Sequence, residues 1–302
     1  MAMAELEQTY PSLVIFISTG LTNVQRRASL RGSWFLYKSS PDSILTEPAK
    51  QATELLFVVA RPSCAEAAAT LQAERATHND IVLLDAPEGY QHLWRKALTF
   101  LSWLTARQQP YDYVMHADDD SYVRLDLLLE YLRPCPRQRF YWGYIWDGTG
   151  NRVTAPIRNP ANKSHMPVEQ YAPDYYPPFA SGCGFILTPD LVVALLRQPL
   201  PDYRLLDPPF GIHLCGPEGT RVLAEGVTPV HEERVRPYRP IPIFRADTLV
   251  QHYLTAEEMK PFHTQAVASA CTGATASDQP PEEAGEAESL YNTLVTLGLL
   301  RR

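Results

Sequence analysis

Five extended, partly apolar residues, Tyr113-Val114-Met115-His116-Ala117, run directly into three consecutive aspartates, Asp118, Asp119 and Asp120, and then into Ser121-Tyr122-Val123. A fold that holds this segment must bury a strand and gather carboxylates at its end. In open α/β sheets the crevice outside the carboxyl ends of the strands is where ligands bind. Carboxylates this close repel one another unless something positive neutralises them, and a hard divalent cation does so. A solvated acidic turn is the other reading that the triplet alone allows.

The flanking sequence repeats the strand signal at intervals. Leu13–Ser18, Leu55–Ala60 and Asp80–Leu84 read as further strands, with an Ala-rich helix expected over Cys64–Ala76. From His92 to Arg107, Leu93, Ala97, Phe100, Leu101 and Leu104 recur at spacings of three and four, which predicts an amphipathic helix. Leu125–Leu132 reads as a helix, Phe140–Tyr144 and Ser181–Leu187 as strands, and Pro189–Arg197 as a helix. Strands alternating with helices indicate an α/β fold with a mainly parallel central sheet flanked by helices. Between these elements the second half turns irregular, because 27 prolines outnumber 15 glycines and crowd between Pro156 and Pro242.

With 302 residues, 45% of them hydrophobic, the chain suits one large domain or two small ones. A net charge of −7 without a dense Lys/Arg block argues against a nucleic-acid or anionic-membrane partner. No stretch approaches the ~20 apolar residues that span a bilayer. The N-terminus lacks the basic start and apolar run of a signal peptide, so the chain as given reads as soluble. Its five cysteines form no C-x-x-C pair, and their odd number leaves at least one thiol unpaired, so the redox compartment stays open. No G-x-G-x-x-G or Walker loop is present either.

Two carboxylates in D-x-D spacing, Asp118 and Asp120, can converge on one ion and leave coordination positions open for a diphosphate. The pattern alone is common. Four blocks around it, however, resemble the β1,3-glycosyltransferases, the galactosyltransferase and N-acetylglucosaminyltransferase members with Fringe as a more distant relative. Arg26–Trp34 resembles their R-R-x-x-I-R-x-T-W segment, and His116–Val123 their K-x-D-D-D-x-[FY]-V. Tyr141-Trp142-Gly143 matches the strand that follows. Tyr171–Phe185 is similar to Y-x-x-x-x-Y-P-x-Y-x-S-G-x-G-Y.

The resemblance implies a GT-A type glycosyltransferase fold over residues 11–265, with an irregular, proline- and aromatic-rich acceptor half. An N-terminal extension over 1–10 and an acidic, largely disordered tail over 266–302, with a short helix at Ser289–Leu300, complete the expected organisation. It also implies inverting transfer of a hexose, galactose foremost, from a UDP-sugar to a glycan or glycoprotein hydroxyl in β1,3 linkage. Mn²⁺ or another divalent cation would be held by Asp118, Asp120 and His252, the last aligning with a late histidine of the family. Asp119, Arg26, Arg27, Arg31, Lys96, Gly182 and Gly184 would line the nucleotide-sugar. Family members are Golgi proteins, in the membrane or lumen, and membrane association here would need an N-terminal anchor ahead of this chain.

Departures from the pattern put particular roles in question. The acidic pair that supplies the catalytic base reads Leu206-Asp207 here, followed by Pro208 and Pro209, which leaves Asp207 as the candidate base. A turn-starting aspartate is the alternative. The usual Y-x-N-L-T-x-K helix start keeps Tyr90, Leu93 and Lys96 only, and Lys96 reads as a nucleotide contact or as part of a solvated helix face. Arg26, Arg27 and Arg31 serve phosphate or base contact, or ordinary salt bridging. Trp34 reads as core, and Gly182 and Gly184 as points of close backbone approach to a ligand or as tight strand packing. The rings of Tyr171–Phe179 suit sugar stacking or loop packing. Asn162-Lys163-Ser164 fits the N-glycosylation pattern, which matters only in the secretory pathway. Two other readings remain: a catalytically silent sugar- or UDP-binding relative, and a haloacid-dehalogenase-type phosphohydrolase, whose small residue two places past the second Asp is here Tyr122.

Overall fold

A computed structural model of the chain describes residues 9–62, 64–239 and 244–272. Ten strands are described: β1 (Leu13–Ser18), β2 (Thr53–Ala60), β3 (Ile81–Leu84), β4 (Tyr113–Asp118), β5 (Tyr122–Val123), β6 (Tyr141–Trp146), β7 (Phe179–Leu187), β8 (Val230–His231), β9 (Val235–Arg236) and β10 (Val250–Gln251). The helices are α1 (Val24–Arg31), α2 (Leu36–Ser39), α3 (Glu47–Gln51), α4 (Ala65–His78), α5 (Leu93–Ala106), α6 (Leu125–Leu132), α7 (Pro189–Leu196), α8 (Asp207–Cys215) and α9 (Ala256–Thr272).

Seven strands form the central sheet in the order β3-β2-β1-β4-β7-β6-β8. β1 to β4 are mutually parallel, and β7 alone runs against its neighbours β4 and β6. The sheet is therefore mainly parallel, as expected. A small second sheet, β5-β10-β9, sits beside it.

Side chains of a strand alternate between faces, and β1 shows what that does here. Leu13, Ile15 and Ile17 enter one apolar layer with Leu30 of α1, four leucines of α6, and Met259, Phe262 and Ala266 of α9. Val14 and Phe16 enter the other layer with Trp94, Phe100 and Leu104 of α5, Leu191 of α7 and Phe210 of α8. A strand covered on both faces must be apolar throughout, and all of β1 is buried. The result is an α/β/α sandwich, with Trp34 in its core as expected. α9 carries the ordered chain past the boundary placed at 265, since Ala266 is buried and the helix runs to Thr272. Residues 1–8 and the segment 273–302, including the helix expected at Ser289–Leu300, lie outside the described residues. No helix of the described residues is long and apolar enough to cross a membrane, and the five cysteines are all unbonded.

Arg27 and Arg31 do not reach the acidic cluster. Arg27 is fully buried and gives its Nε and Nη2 to Glu74 of α4, at 2.9 and 2.7 Å, and its Nη1 to the Gly20 carbonyl at 2.7 Å. Arg31 binds Glu74 and forks onto Asp80. Both guanidinium groups are spent on joining α1 to α4 and to the start of β3, so the ligand-contact expectation gives way to salt bridging. Burial works to raise the Glu74 carboxyl, but the hydrogen bonds and charges of Arg27 and Arg31 outweigh it and hold the group below its ordinary value. Stabilisation from this pair is thus complete above the unfolded-state value near about 4.3, and is lost as pH falls through the lower folded value. Glu74→Gln leaves the Arg27 charge uncompensated in the interior and is expected to cost about 3 kcal/mol in urea unfolding at pH 7. The difference from wild type should shrink at low pH; a loss under half a kcal/mol would show that the pair is not structural.

Candidate active site

β4 delivers Asp118 to the carboxyl edge of the sheet, with Ser18 of β1 as its register partner and Ala117 opposite Gly184 of β7. β1 leads away from β4 toward β2 on one side while β7 runs antiparallel on the other, so the end of β4 lies where the sheet changes direction, the place at which open α/β sheets bind ligands. The chain then turns, with Ser121 N–H bonding the Asp118 carbonyl, and enters the small sheet through β5. β10 pairs antiparallel with β5, Val250 against Val123 and Gln251 against Tyr122. His252 follows immediately, and the Leu254 N–H bonds the Asp120 carbonyl at 3.1 Å. A two-residue strand from late in the chain thus brings the imidazole to the aspartates.

The ring is oriented from behind. His252 Nδ1 lies 3.2 Å from the Pro237 carbonyl, which can only accept, so the proton sits on Nδ1. Nε2 then points at Asp120, 3.0 Å away, and Asp118, 3.4 Å away. One ligand atom from each of Asp118, Asp120 and His252 lies within 4.8 Å of the others. Two carboxylates and an imidazole nitrogen, brought together with no lysine or arginine among them, are a donor set that suits Mn²⁺ or a similar divalent ion. The electrostatics agree with that fit. Burial drives the Asp118 carboxyl well above its ordinary value, and Asp120, Asp207 and Asp119 add to the rise while His252 opposes it. Burial also works to raise Asp120, but the hydrogen bond and charge of His252, helped by Arg26, pull it below its ordinary value. Burial works against a charge on His252, yet Asp120 and Asp118 raise its value. The cluster asks for more positive charge than the protein supplies.

Asp119 turns the other way. Its Oδ2 accepts from Thr19 Oγ1 at 2.6 Å and from Asn23 Nδ2 at 2.8 Å, fixing the β1–α1 loop against the acidic turn. Lys96 backs the same loop, donating to the Thr19 carbonyl at 2.7 Å. At 2% exposure it is not on a solvated face, and burial lowers its ammonium value. Arg26 stays at the edge of the site through a 2.6 Å bond to the Leu254 carbonyl.

The acidic residue at the head of α8 meets the cluster from the sheet side. A Cβ at Gly182 would collide with Asp207 Oδ1. Glycine is therefore what lets the carboxyl seat against β7, close enough for Asp118 to feel its charge. Leu206, by contrast, is buried in the apolar layer with Phe210. Pro208 and Pro209 fall in the first helical turn, where a missing N–H costs no intrahelical bond. At Gly184 an added Cβ would crowd Met115 Cε and the Val250 methyls at 3.1 to 3.2 Å. Both glycines thus make room for protein atoms, the second by letting β10 pack onto the sheet.

His116 carries no signal beyond being a histidine in an apolar strand, yet it staples the site. Its Nδ1 donates to the Gly182 carbonyl at 2.8 Å and its Nε2 lies 3.0 Å from Ser18 Oγ. Burial holds it neutral, with its value lowered to about 3. Thr19 and Asn23 were equally hidden, because the loop after β1 has no glycine-rich signature. The aromatic loop is corrected in part: Tyr176 and Phe179 are buried, Tyr171 packs on Tyr176 at 4.8 Å, and only Tyr175 stands out at 68% exposure. In the glycosylation pattern, Asn162 Oδ1 accepts from the Ser164 N–H, and Lys163 lies over the Tyr90 ring.

Comparison with known proteins gives the relatives of this chain. Residues 25–200 match the family model described as galactosyltransferase. Beta-1,3-galactosyltransferase 1 of Homo sapiens is 30% identical over 197 residues, 64% of this chain and 56% of that protein. Beta-1,3-galactosyltransferase 6 of Mus musculus is 33% identical over 212 residues, 67% of this chain and 60% of that protein. The match therefore spans less than two thirds of the length of these relatives. Among solved structures, a mannosyltransferase from Pyrobaculum calidifontis in complex with GDP-Man and Mn²⁺ is similar at a TM-score of 0.40 and 14% identity, covering 97% of this chain and 82% of that one. That likeness is too loose to carry an argument.

Proposed function

The chain belongs to the galactosyltransferase family, and on that premise we propose that it is a GT-A glycosyltransferase moving galactose from UDP-galactose to a glycan or glycoprotein hydroxyl, in β1,3 linkage with inversion. The observation that carries the reading is the convergence of Asp118, Asp120 and His252 on one point, with Asp207 seated against Gly182 beside them. A divalent cation bound by the three would neutralise the diphosphate as it leaves.

Every other step belongs to the chain's own groups. Asp119, fixed by Thr19 and Asn23, shapes the loop that borders the nucleotide, and Lys96 braces that loop from beneath. Asp207 accepts the proton of the acceptor hydroxyl while its oxygen attacks the anomeric carbon from the face opposite UDP. The new C–O bond forms as the bond from the anomeric carbon to the phosphate oxygen breaks, and UDP takes the electron pair. The compartment proposed with this activity is the Golgi, membrane or lumen.

One observation favours a second reading. Leu206 lies in the core where the family pattern has an acid, which fits a catalytically silent sugar- or UDP-binding relative. UDP release from UDP-galactose, measured with β-galactoside and N-acetylglucosaminide acceptors and with or without Mn²⁺, separates the two. The enzyme reading expects release that needs both metal and acceptor and stops with EDTA. UDP binding without turnover favours the silent relative, and no UDP binding at all removes both.

A further inference from the structure

β6 and β7 lose register at one place. Gly143 pairs with Phe185 and Ile145 with Ala180, so Tyr144 alone stands opposite Ser181–Gly184. That stretch contains Gly182, against which Asp207 packs. From Tyr144 a surface of rings continues outward. Its centroid lies 5.4 Å from that of Trp146 and 5.8 Å from that of Tyr238, and Trp146 and Tyr238 are 5.9 Å apart.

The surface is tied to two segments that carry residues of the site. Tyr238 follows Pro237, whose carbonyl orients His252. Trp146 stacks on Phe179 at 6.5 Å, and Phe179 Cβ sits where a side chain on Gly211 of α8 would fall, 2.6 Å away. α8 is the helix that Asp207 heads. Tyr144, Trp146 and Tyr238 are each only half buried, unlike Tyr176 and Phe179. The rings therefore join the segment that orients His252 to the strand and helix that position Asp207, while keeping part of their area open.

We propose that Tyr144, Trp146 and Tyr238 form the platform on which the acceptor sugar stacks, and that they select a pyranose with an unbroken C–H face, of which a β-galactoside is the simplest. Resting on the transferase reading, this assigns the acceptor subsite. Such a face packs on aromatic rings because it is apolar and its C–H bonds meet the negative face of the π system. Trp146 sits at the centre, touching both tyrosines and Phe179. The two tyrosine hydroxyls, 3.4 Å apart, supply a polar rim for sugar hydroxyls.

The test compares wild type with Trp146→Ala, Trp146→Phe and Tyr238→Ala by saturation-transfer NMR on methyl β-D-galactopyranoside in the presence of UDP and Mn²⁺, alongside steady-state kinetics. Saturation transfer to the sugar's ring protons is expected in wild type, lost in Trp146→Ala and kept in Trp146→Phe. The acceptor KM should rise about tenfold in Trp146→Ala, with kcat and the donor KM unchanged. Equal signals in wild type and Trp146→Ala, or no signal in wild type, overturn the platform. A loss of UDP affinity in place of sugar affinity overturns it too, since the rings would then be holding the uracil of the donor. Because NMR reads sugar binding without turnover, a wild type that binds the galactoside through Trp146 but releases no UDP upholds the platform while the transferase reading fails.

Discussion

Asp120→Asn is expected to release UDP from UDP-galactose about 1,000-fold more slowly than wild type, because a divalent cation at a leaving group contributes several kcal/mol to the transition state. Asp120 is the natural position for the test. It makes the shortest contact with His252, 3.0 Å, so losing its charge removes one ligand and also releases the imidazole. Folding should weaken as well. The hydrogen bond and charge of His252, helped by Arg26, outweigh burial and hold the Asp120 carboxyl below its ordinary value, so the folded state favours the ionised group. Removing that charge takes away the contact with His252, and the metal-free variant should melt somewhat below the wild-type temperature. Mn²⁺ supplies the second readout. A ligand that binds only the folded state raises the melting temperature; wild type should show that rise and Asp120→Asn should not. Full activity in the variant, or equal Mn²⁺ shifts in the two proteins, would remove the metal assignment.

The second large effect concerns Asp207. Asp207→Asn keeps the shape of the side chain and removes its ability to take a proton, and transfer should fall by about 100- to 10,000-fold. UDP and Mn²⁺ affinity should stay at wild-type values, because the carboxyl meets the cluster from the β7 side and supplies none of the three ligand atoms brought together there. Gly182→Ala tests the same idea without touching the acid. The new methyl group occupies the place of Asp207 Oδ1, so the carboxyl must move and transfer should drop while donor binding persists. Transfer that survives both substitutions would show that another group takes the proton. Loss of UDP binding in Asp207→Asn would instead mark the residue as part of the donor site.

Much of the frame was legible because it is written in local periodicity. α6 was expected at Leu125–Leu132 and is found there, while α5 and α7 shift by a residue at their ends. β2 begins at Thr53, two residues before the expected Leu55, since Thr53 and Glu54 pair with β1 although they break the apolar run. The acidic end of β4 was legible for the same reason: an apolar run followed by aspartates has one sensible burial. The roles of individual charges were not. Arg27, Arg31 and Lys96 looked alike as cations near a nucleotide site, and each turned out to be buried or half buried on a partner far along the chain, Glu74 for Arg27 and the Thr19 carbonyl for Lys96. Among the aromatics, the proline-rich loop drew attention by its composition, yet its Tyr176 and Phe179 point into the core. Trp146 and Tyr238, in segments without a distinctive pattern, keep their rings partly open.

The sequence by itself determined the α/β layering, the strand that ends in aspartates and the order of the blocks that carry the family pattern. These depend on side chains a few residues apart, where the backbone period decides which face each one takes. Only the tertiary structure decided which polar groups meet. Thr19 reaches Asp119 across 100 residues of chain, and His252 meets Asp120 only because a two-residue strand pairs with Tyr122-Val123. Asp207 reaches the cluster only because residue 182 has no side chain. Hydrogen bonds and charges act over a few ångströms whatever the separation in sequence, so their partners are fixed by packing and cannot be read from spacing.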